Sequence, residues 1–228
     1  MPCYPDRRSL PPCPDPDQYV LVESKEGLYW RRKPGKKSQL TKNAAFQANE
    51  DAMKICSPAA SRLLTALLPY REGFEKWRVQ AHFTTLLRRG LKGRYFSYNC
   101  LKGAELQKSY RLDHLLKSSV DVTQPGYSVA VQVPIRPGAV HRHSQLVSDF
   151  YLEAIIVSGD PLAGTPLKVN STTSPLYAYD NIPTTTCTLQ LTIPDKPWIL
   201  LLKFCSLEGN ELAHHPKHYA LKVIEVGN

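Results

Sequence analysis

The sequence has no apolar run near the roughly 18–20 residues that a membrane-spanning helix requires. Its six cysteines include no C-x-x-C pair, so zinc-ribbon and thioredoxin-like chemistry lack their ligand spacing. No G-x-S-x-G, H-E-x-x-H or G-x-G-x-x-G occurs, which removes the commonest hydrolase, metalloprotease and dinucleotide signatures. Gly35-Lys36-Lys37-Ser38 lacks the earlier glycine of a phosphate loop, because position 30 is Trp. The opening MPCYPDRRSL has no apolar centre and reads as no secretory signal, so a reducing cytoplasmic setting is expected. With 42% hydrophobic and 21% charged residues in 228, what remains is an ordinary globular chain large enough to bury a core.

What is present is an uneven charge. Residues 1–120 hold 22 Lys and Arg against 11 Asp and Glu, a balance of +11, whereas residues 121–228 hold 7 against 9, a balance of −2. Such a split assigns any acidic partner, protein or nucleic acid, to the first half.

The chain divides by pattern into three stretches. Residues 1–18 hold Pro2, Pro5, Pro11, Pro12, Pro14 and Pro16, and read as an extended tail, disordered rather than docked. Residues 19–120 begin with two β-rich runs, Tyr19–Glu23 and Leu28–Arg32, flanking a turn at 24–27, which reads as a hairpin. Helical spacing follows, with Thr41 as cap and Ala44, Ala48, Ala52 and Ile55 recurring. A restart is expected at Ser57-Pro58, leading into the stripe Leu63, Leu64, Leu67 and Leu68. Further helices are predicted over about 76–91 and about 103–118. From 121 to 228 the period falls to two, with β-rich runs at 127–133, 149–157, 184–193, 196–205 and 218–226 and a short strand at 167–169. The fold class expected is therefore α+β. It has an N-terminal hairpin and basic helical region, then an antiparallel β-sandwich, Ig-like or jelly-roll-like.

Two stretches combine cations with aromatics. The first is Tyr29, Trp30, Arg31, Arg32, Lys33, Lys36 and Lys37; the second is Arg88, Arg89, Lys92 and Arg94, followed by Tyr95 and Phe96. Lys and Arg neutralise phosphate or carboxylate while aromatic faces stack or anchor an interface, so these eleven cations and aromatics are the candidate partner-binding residues. His141-x-His143 places two imidazoles on one face if it lies in a strand, and with Glu153 it suggests a cupin-type metal site, although the family spacing is not kept. His214, His215 and His218 precede the last strand and read as a turn with exposed histidines. Tyr177 and Tyr179 are the candidates for a carbohydrate-binding aromatic row. Cys187 and Cys205 read as core residues whose pairing is left open.

Gly27-Leu28-Tyr29-Trp30-Arg31-Arg32-Lys33-Pro34, then Ser38-Gln39-Leu40-Thr41 opening a helix with Phe46, and later Gly138-Ala139-Val140-His141 form a recognisable order. This resembles a family of uncharacterised bacterial proteins with G-x-x-Y-x-R-x-K-P near the start and a G-A-T-H-like turn in the C-terminal β region. The resemblance implies a two-part α+β architecture and a non-catalytic role, and supplies no site residues.

The function expected is non-catalytic binding or assembly. The basic N-terminal half would contact an acidic protein or nucleic acid, and the β region would serve as an interaction module, with no cofactor and no membrane. The alternative is a metal-dependent, cupin-like β-barrel enzyme using His141 and His143.

Overall fold

The computed structural model describes residue 5 and residues 9–33, 43–93, 95–163, 165–193 and 196–227. The alternating β-formers of the first stretch form β1 (Tyr19–Ser24) and β2 (Gly27–Arg32), paired antiparallel with Ser24 opposite Gly27. Gly27 takes φ 126°, a backbone state that favours glycine and lets the chain reverse after Lys25 and Glu26. Within residues 9–18 the proline-rich segment is docked here, contrary to the disorder expected. The Trp30 indole Nε1 donates to the Pro11 carbonyl at 2.8 Å, and Lys33 Nζ donates to the Pro16 carbonyl at 2.7 Å. Proline offers no amide hydrogen but keeps its carbonyl, so a proline-rich strand can still be held through its acceptors. Compactness separates residues 1–48 from residues 49–228.

α1 (Ala44–Ala66) runs unbroken through Pro58, where a restart was expected. Proline removes one backbone bond and crowds the preceding turn. Here the ring is exposed, while Cys56, Ala59, Ala60, Leu63 and Leu64 form a buried stripe on both sides of it. The packing of that stripe carries the helix across the lost bond. α2 (Val79–Gly90) follows and buries Val79, Phe83 and Leu87. Its last residue must be glycine, since a Cβ there would lie 2.6 Å from both the Cys100 Sγ and the Ser97 carbonyl. β3 (Leu91–Lys92) and β4 (Tyr95–Phe96) then form a minimal ladder.

The helix expected over 103–118 is mostly absent; only the single turn α3 (Leu112–Leu115) forms. Gly103 sits at φ 82°, and the neighbouring backbone is used otherwise. The amides of Gly103 and Leu106 donate to the carbonyls of Val223 and Leu221, and the Val223 amide donates to Ala104, all at 2.8 Å. Ala104, Leu106, Leu112, Leu115 and Leu116 are buried as the spacing suggested, but from extended backbone and a turn.

The remaining strands are β5 (Asp121–Thr123), β6 (Ser128–Ile135), β7 (Asp149–Ser158), β8 (Lys168–Thr173), β9 (Tyr177–Ala178), β10 (Thr185–Thr192), β11 (Trp198–Glu208), β12 (Glu211–Leu212) and β13 (Tyr219–Gly227). β10, β6 and β5 make one antiparallel sheet. The other runs β13–β11–β7–β8, with β12 added to β11 and β9 to β7. β10 also runs beside β7 and β8, and the larger unit is mixed helix and mostly antiparallel strand curled into a half-barrel.

β7 and β11 are buried on both faces, which explains their near-continuous apolar runs. Ala154, Ile156, Leu200, Leu202 and Phe204 pack with Val129, Val131, Val133, Leu189 and Leu191 of the small sheet. Ile155, Val157, Ile199 and Leu201, joined by Leu221 and Val223, pack instead under Leu63 and Leu67 of α1 and Phe83 and Leu87 of α2. The helical layer therefore closes over one face of the large sheet, and the loops and helices above it present the candidate sites.

Candidate functional site

α1 and α2 leave an open groove of about 820 Å³ between their outer faces. One wall is a helical stripe of α1, Met53, Ser57, Ser61, Leu64, Thr65 and then Leu68; the other is Gln80, Ala81, Thr84, Thr85 and Arg88 of α2. Trp77, Arg78 and Arg71 close one end. Trp77 is fixed there, its indole Nε1 donating to the Leu106 carbonyl at 2.7 Å and its ring lying 5.3 Å from that of His82.

The electrostatics of this groove are one-sided. No carboxylate lines it. Among the described residues, no ion pair forms to Arg71, Arg78 or Arg88. Arg71 Nε is buried without a hydrogen-bond partner, and burial pushes the Arg71 guanidinium below its ordinary range. Buried donors normally find partners, so such a group points to a place where an acceptor belongs. Three wall hydroxyls are spent internally: Thr65 donates to Ser61 O at 2.9 Å, Thr84 to Gln80 O at 2.7 Å and Thr85 to Ala81 O at 2.8 Å. The guanidinium groups are thus the charged donors this groove offers.

The eleven residues named from sequence fall into separate places. Tyr29, Trp30, Arg31, Arg32 and Lys33 lie on or just after β2 in the smaller unit, and Lys36 and Lys37 lie outside the described residues. Strand alternation puts Trp30 and Arg32 on one face of the hairpin and Tyr29 and Arg31 on the other. Trp30 and Lys33 hold the proline arm, and Arg32 bonds the Gln18 side chain at 3.3 Å, leaving Arg31 as an exposed cation. Of the second set, Arg88 lines the groove, Arg89 and Lys92 are exposed nearby in sequence, and Arg94 lies outside the described residues. Sequence reasoning missed Arg71 and Arg78. Their signal was two arginines on either side of Trp77, just ahead of α2.

A smaller polar pocket of about 480 Å³ lies where Trp77, His82, Glu105, Gln107 and Lys222 meet. Burial pushes the Glu105 carboxyl up to about 7, against the opposing effects of the Leu112 amide and Lys222. Lys222 Nζ is 4.0 Å from Glu105 and 2.7 Å from Asp113. Neither partner relationship was visible in the sequence, because residues 105, 113 and 222 meet only through the pairing of β13 with the 103–106 segment.

The histidines form a row. His141 and His143 touch, with ring centres 4.3 Å apart; His143 lies 6.4 Å from His218, and His218 lies 6.5 Å from His215. The segment carrying the first two is not a strand. Arg142 shapes it by donating to Asp180 Oδ1 at 2.5 Å and to the carbonyls of Ser144 and Gln145, with its guanidinium 5.6 Å over the Tyr179 ring. His218 is buried, not exposed in a turn as expected. Glu153 does not serve this row: its carboxylate pairs with Lys203 Nζ at 3.5 Å inside the sheet. Among the described residues, no three His, Cys, Asp or Glu side chains converge to hold a metal ion.

Burial corrects one further expectation and bears out another. Tyr177 and Tyr179 are core residues whose rings lie 5.3 and 5.0 Å from that of Phe150, so they form no surface aromatic row. Cys187 and Cys205 are both buried free thiols, and burial pushes both thiols up. Among the described residues, no helix is long and apolar enough to cross a membrane. Comparison with protein-family models, with curated proteins and with solved structures found no match to the chain.

Proposed function

We propose that this chain is a non-catalytic binding or assembly protein whose basic N-terminal half takes an acidic partner, protein or nucleic acid. The strand-rich remainder, read as a sandwich, serves as its rigid interaction module. The observation that supports this reading best is the convergence of Arg71, Arg78 and Arg88 on one groove without a carboxylate among its lining residues. An acidic group entering that groove satisfies a buried guanidinium nitrogen and gains charge-assisted hydrogen bonds, each worth about 1.5–3 kcal/mol.

The test is binding of the full chain to immobilised polyglutamate and to duplex DNA at about 50 and about 200 mM salt. Binding that weakens with salt, and weakens again in the Arg78→Glu, Arg88→Glu double variant, supports the reading. Both substituted residues are exposed, so folding is preserved. No binding to either polymer, or binding indifferent to the double variant, removes the groove from function.

A further inference from the structure

We infer that the occupant of the groove is an amphipathic acidic α-helix of a protein partner, an inference that rests on the binding role proposed above. Shape comes first. Two packed helices present one valley, and the α1 wall from Met53 to Thr65 runs about 18 Å at 1.5 Å per residue, the length of three to four helical turns. A third helix is the element that fills a valley between two others, seating residues at i, i+3, i+4 and i+7.

Chemistry along the valley is segregated. Between its ends the lining is neutral and mostly small, serines and threonines with Ala81, and Leu64 is buried in the floor. Met53 stands 41% exposed near one end and Leu68 65% exposed near the other, so each end offers an apolar side chain to a partner. The charges sit at the ends. Arg88 lies close enough to Cys56 to act on its thiol, which places it at the Met53 end; Arg71 and Arg78 lie at the Leu68 end. Arg78 and Arg88 are separated by about 15 Å along α2. The complementary ligand is therefore a helix with apolar residues facing the valley and carboxylates about ten residues apart on its flanks.

A nucleic acid fits this pattern less well. Each strand of a duplex places a phosphate about every 3.4 Å along its axis and asks for cations throughout. This valley offers cations at its ends and neutral, mostly small side chains between, and Trp77 already has its indole nitrogen bonded and its ring against His82.

The experiment uses the full chain and two fluorescein-labelled probes. One is a peptide of about 18 residues with leucines at i, i+3, i+4, i+7 and i+11 and glutamates elsewhere. The other is duplex DNA of similar length. Leu68→Asp and the Arg78→Glu, Arg88→Glu double variant are measured in parallel, with circular dichroism confirming their fold. The expected result is peptide binding weakened at least about tenfold by each variant, and by replacing the peptide glutamates with glutamine, with DNA bound at least about tenfold more weakly. DNA bound more tightly than peptide, and unaffected by Leu68→Asp, overturns the helix inference while leaving an acidic partner in place. Failure of both probes to bind overturns both readings.

Discussion

His143 and His218 meet edge to face, 6.4 Å between ring centres, and the Nδ1 of His218 is buried without a hydrogen-bond partner. Burial, reinforced by Lys217, His143 and His215, holds His218 down to about 4, so the native state keeps it neutral. In the unfolded chain it returns to about 6.5. The folded form thus binds fewer protons between these values, and stability is full above pH 6.5 and falls as pH drops through 4. Urea unfolding midpoints should decline over that interval. His218→Gln should flatten the decline, and an unchanged acid slope in that variant would assign it to other groups.

Glu105 tilts the other way. Its carboxyl is held up to about 7 by burial, whereas an unfolded glutamate titrates near 4.5. The folded state binds the extra proton, so this group's contribution is present below pH 4.5 and lost as pH rises through 7. Glu105→Gln keeps an acceptor for the Leu112 amide and removes the buried charge. The variant should unfold at higher urea than the parent at pH 8 and show little advantage at pH 4.5. Equal midpoints at both pH values would show that the carboxylate is solvated.

Leu200 and Leu201 are adjacent, fully buried, and belong to different clusters, one against the small sheet and one under the helices. Each truncation to alanine should cost about 2–5 kcal/mol in chemical denaturation. The double variant should lose close to the sum, because the two side chains line different clusters on opposite faces of the sheet. A loss well below the sum would mean the layers relax together. By contrast Thr188→Ala, on the exposed face of β10, should change stability by less than about 0.5 kcal/mol.

Trp30→Phe keeps an aromatic ring in the hairpin and deletes the donor to Pro11. The loss of one hydrogen bond, about 0.5–1.5 kcal/mol, is small globally but local to the proline arm. Limited proteolysis should then cleave within residues 9–18 faster than in the parent, with residues 49–228 unaffected. Unchanged cleavage would assign the arm's position to Lys33 and Pro16.

How far the sequence could be read depends on where each element's partners lie. The hairpin was legible to within a residue, because its signal is local: β-formers, a glycine and a register that closes on itself. The long strands were legible from their composition. The two-sided burial of β7 and β11 was not separated from it, since a continuous apolar run does not say what covers each face. Residues 103–118 failed for the opposite reason. Their leucines recur near helical spacing, but the backbone between them is claimed by β13, more than 100 residues later. The same remoteness hid the groove. Arg88 was found because it belongs to a basic run, whereas Arg71 and Arg78 acquire meaning only when α1 and α2 are set side by side. The metal reading failed on geometry: two histidines two apart do touch, but the carboxylate assigned to them is committed to Lys203.

The short stretch from Gly103 to Leu106 has an effect out of proportion to its length. Tyr219–Gly227 is an outer strand composed largely of Val, Ile, Leu and Ala, the kind of border on which a second chain can grow a ladder. The carbonyls of Leu221 and Val223 and the Val223 amide, which would start such growth, are already occupied from within the chain. At the opposite border, Lys168–Thr173 presents lysine, asparagine, serine and threonines, which make poor templates for stacking. The protein thus guards one border of its large sheet by occupancy and the other by polarity. A cut near residue 103 would unmask the first, leaving a bare strand edge on which fibrous self-assembly can start.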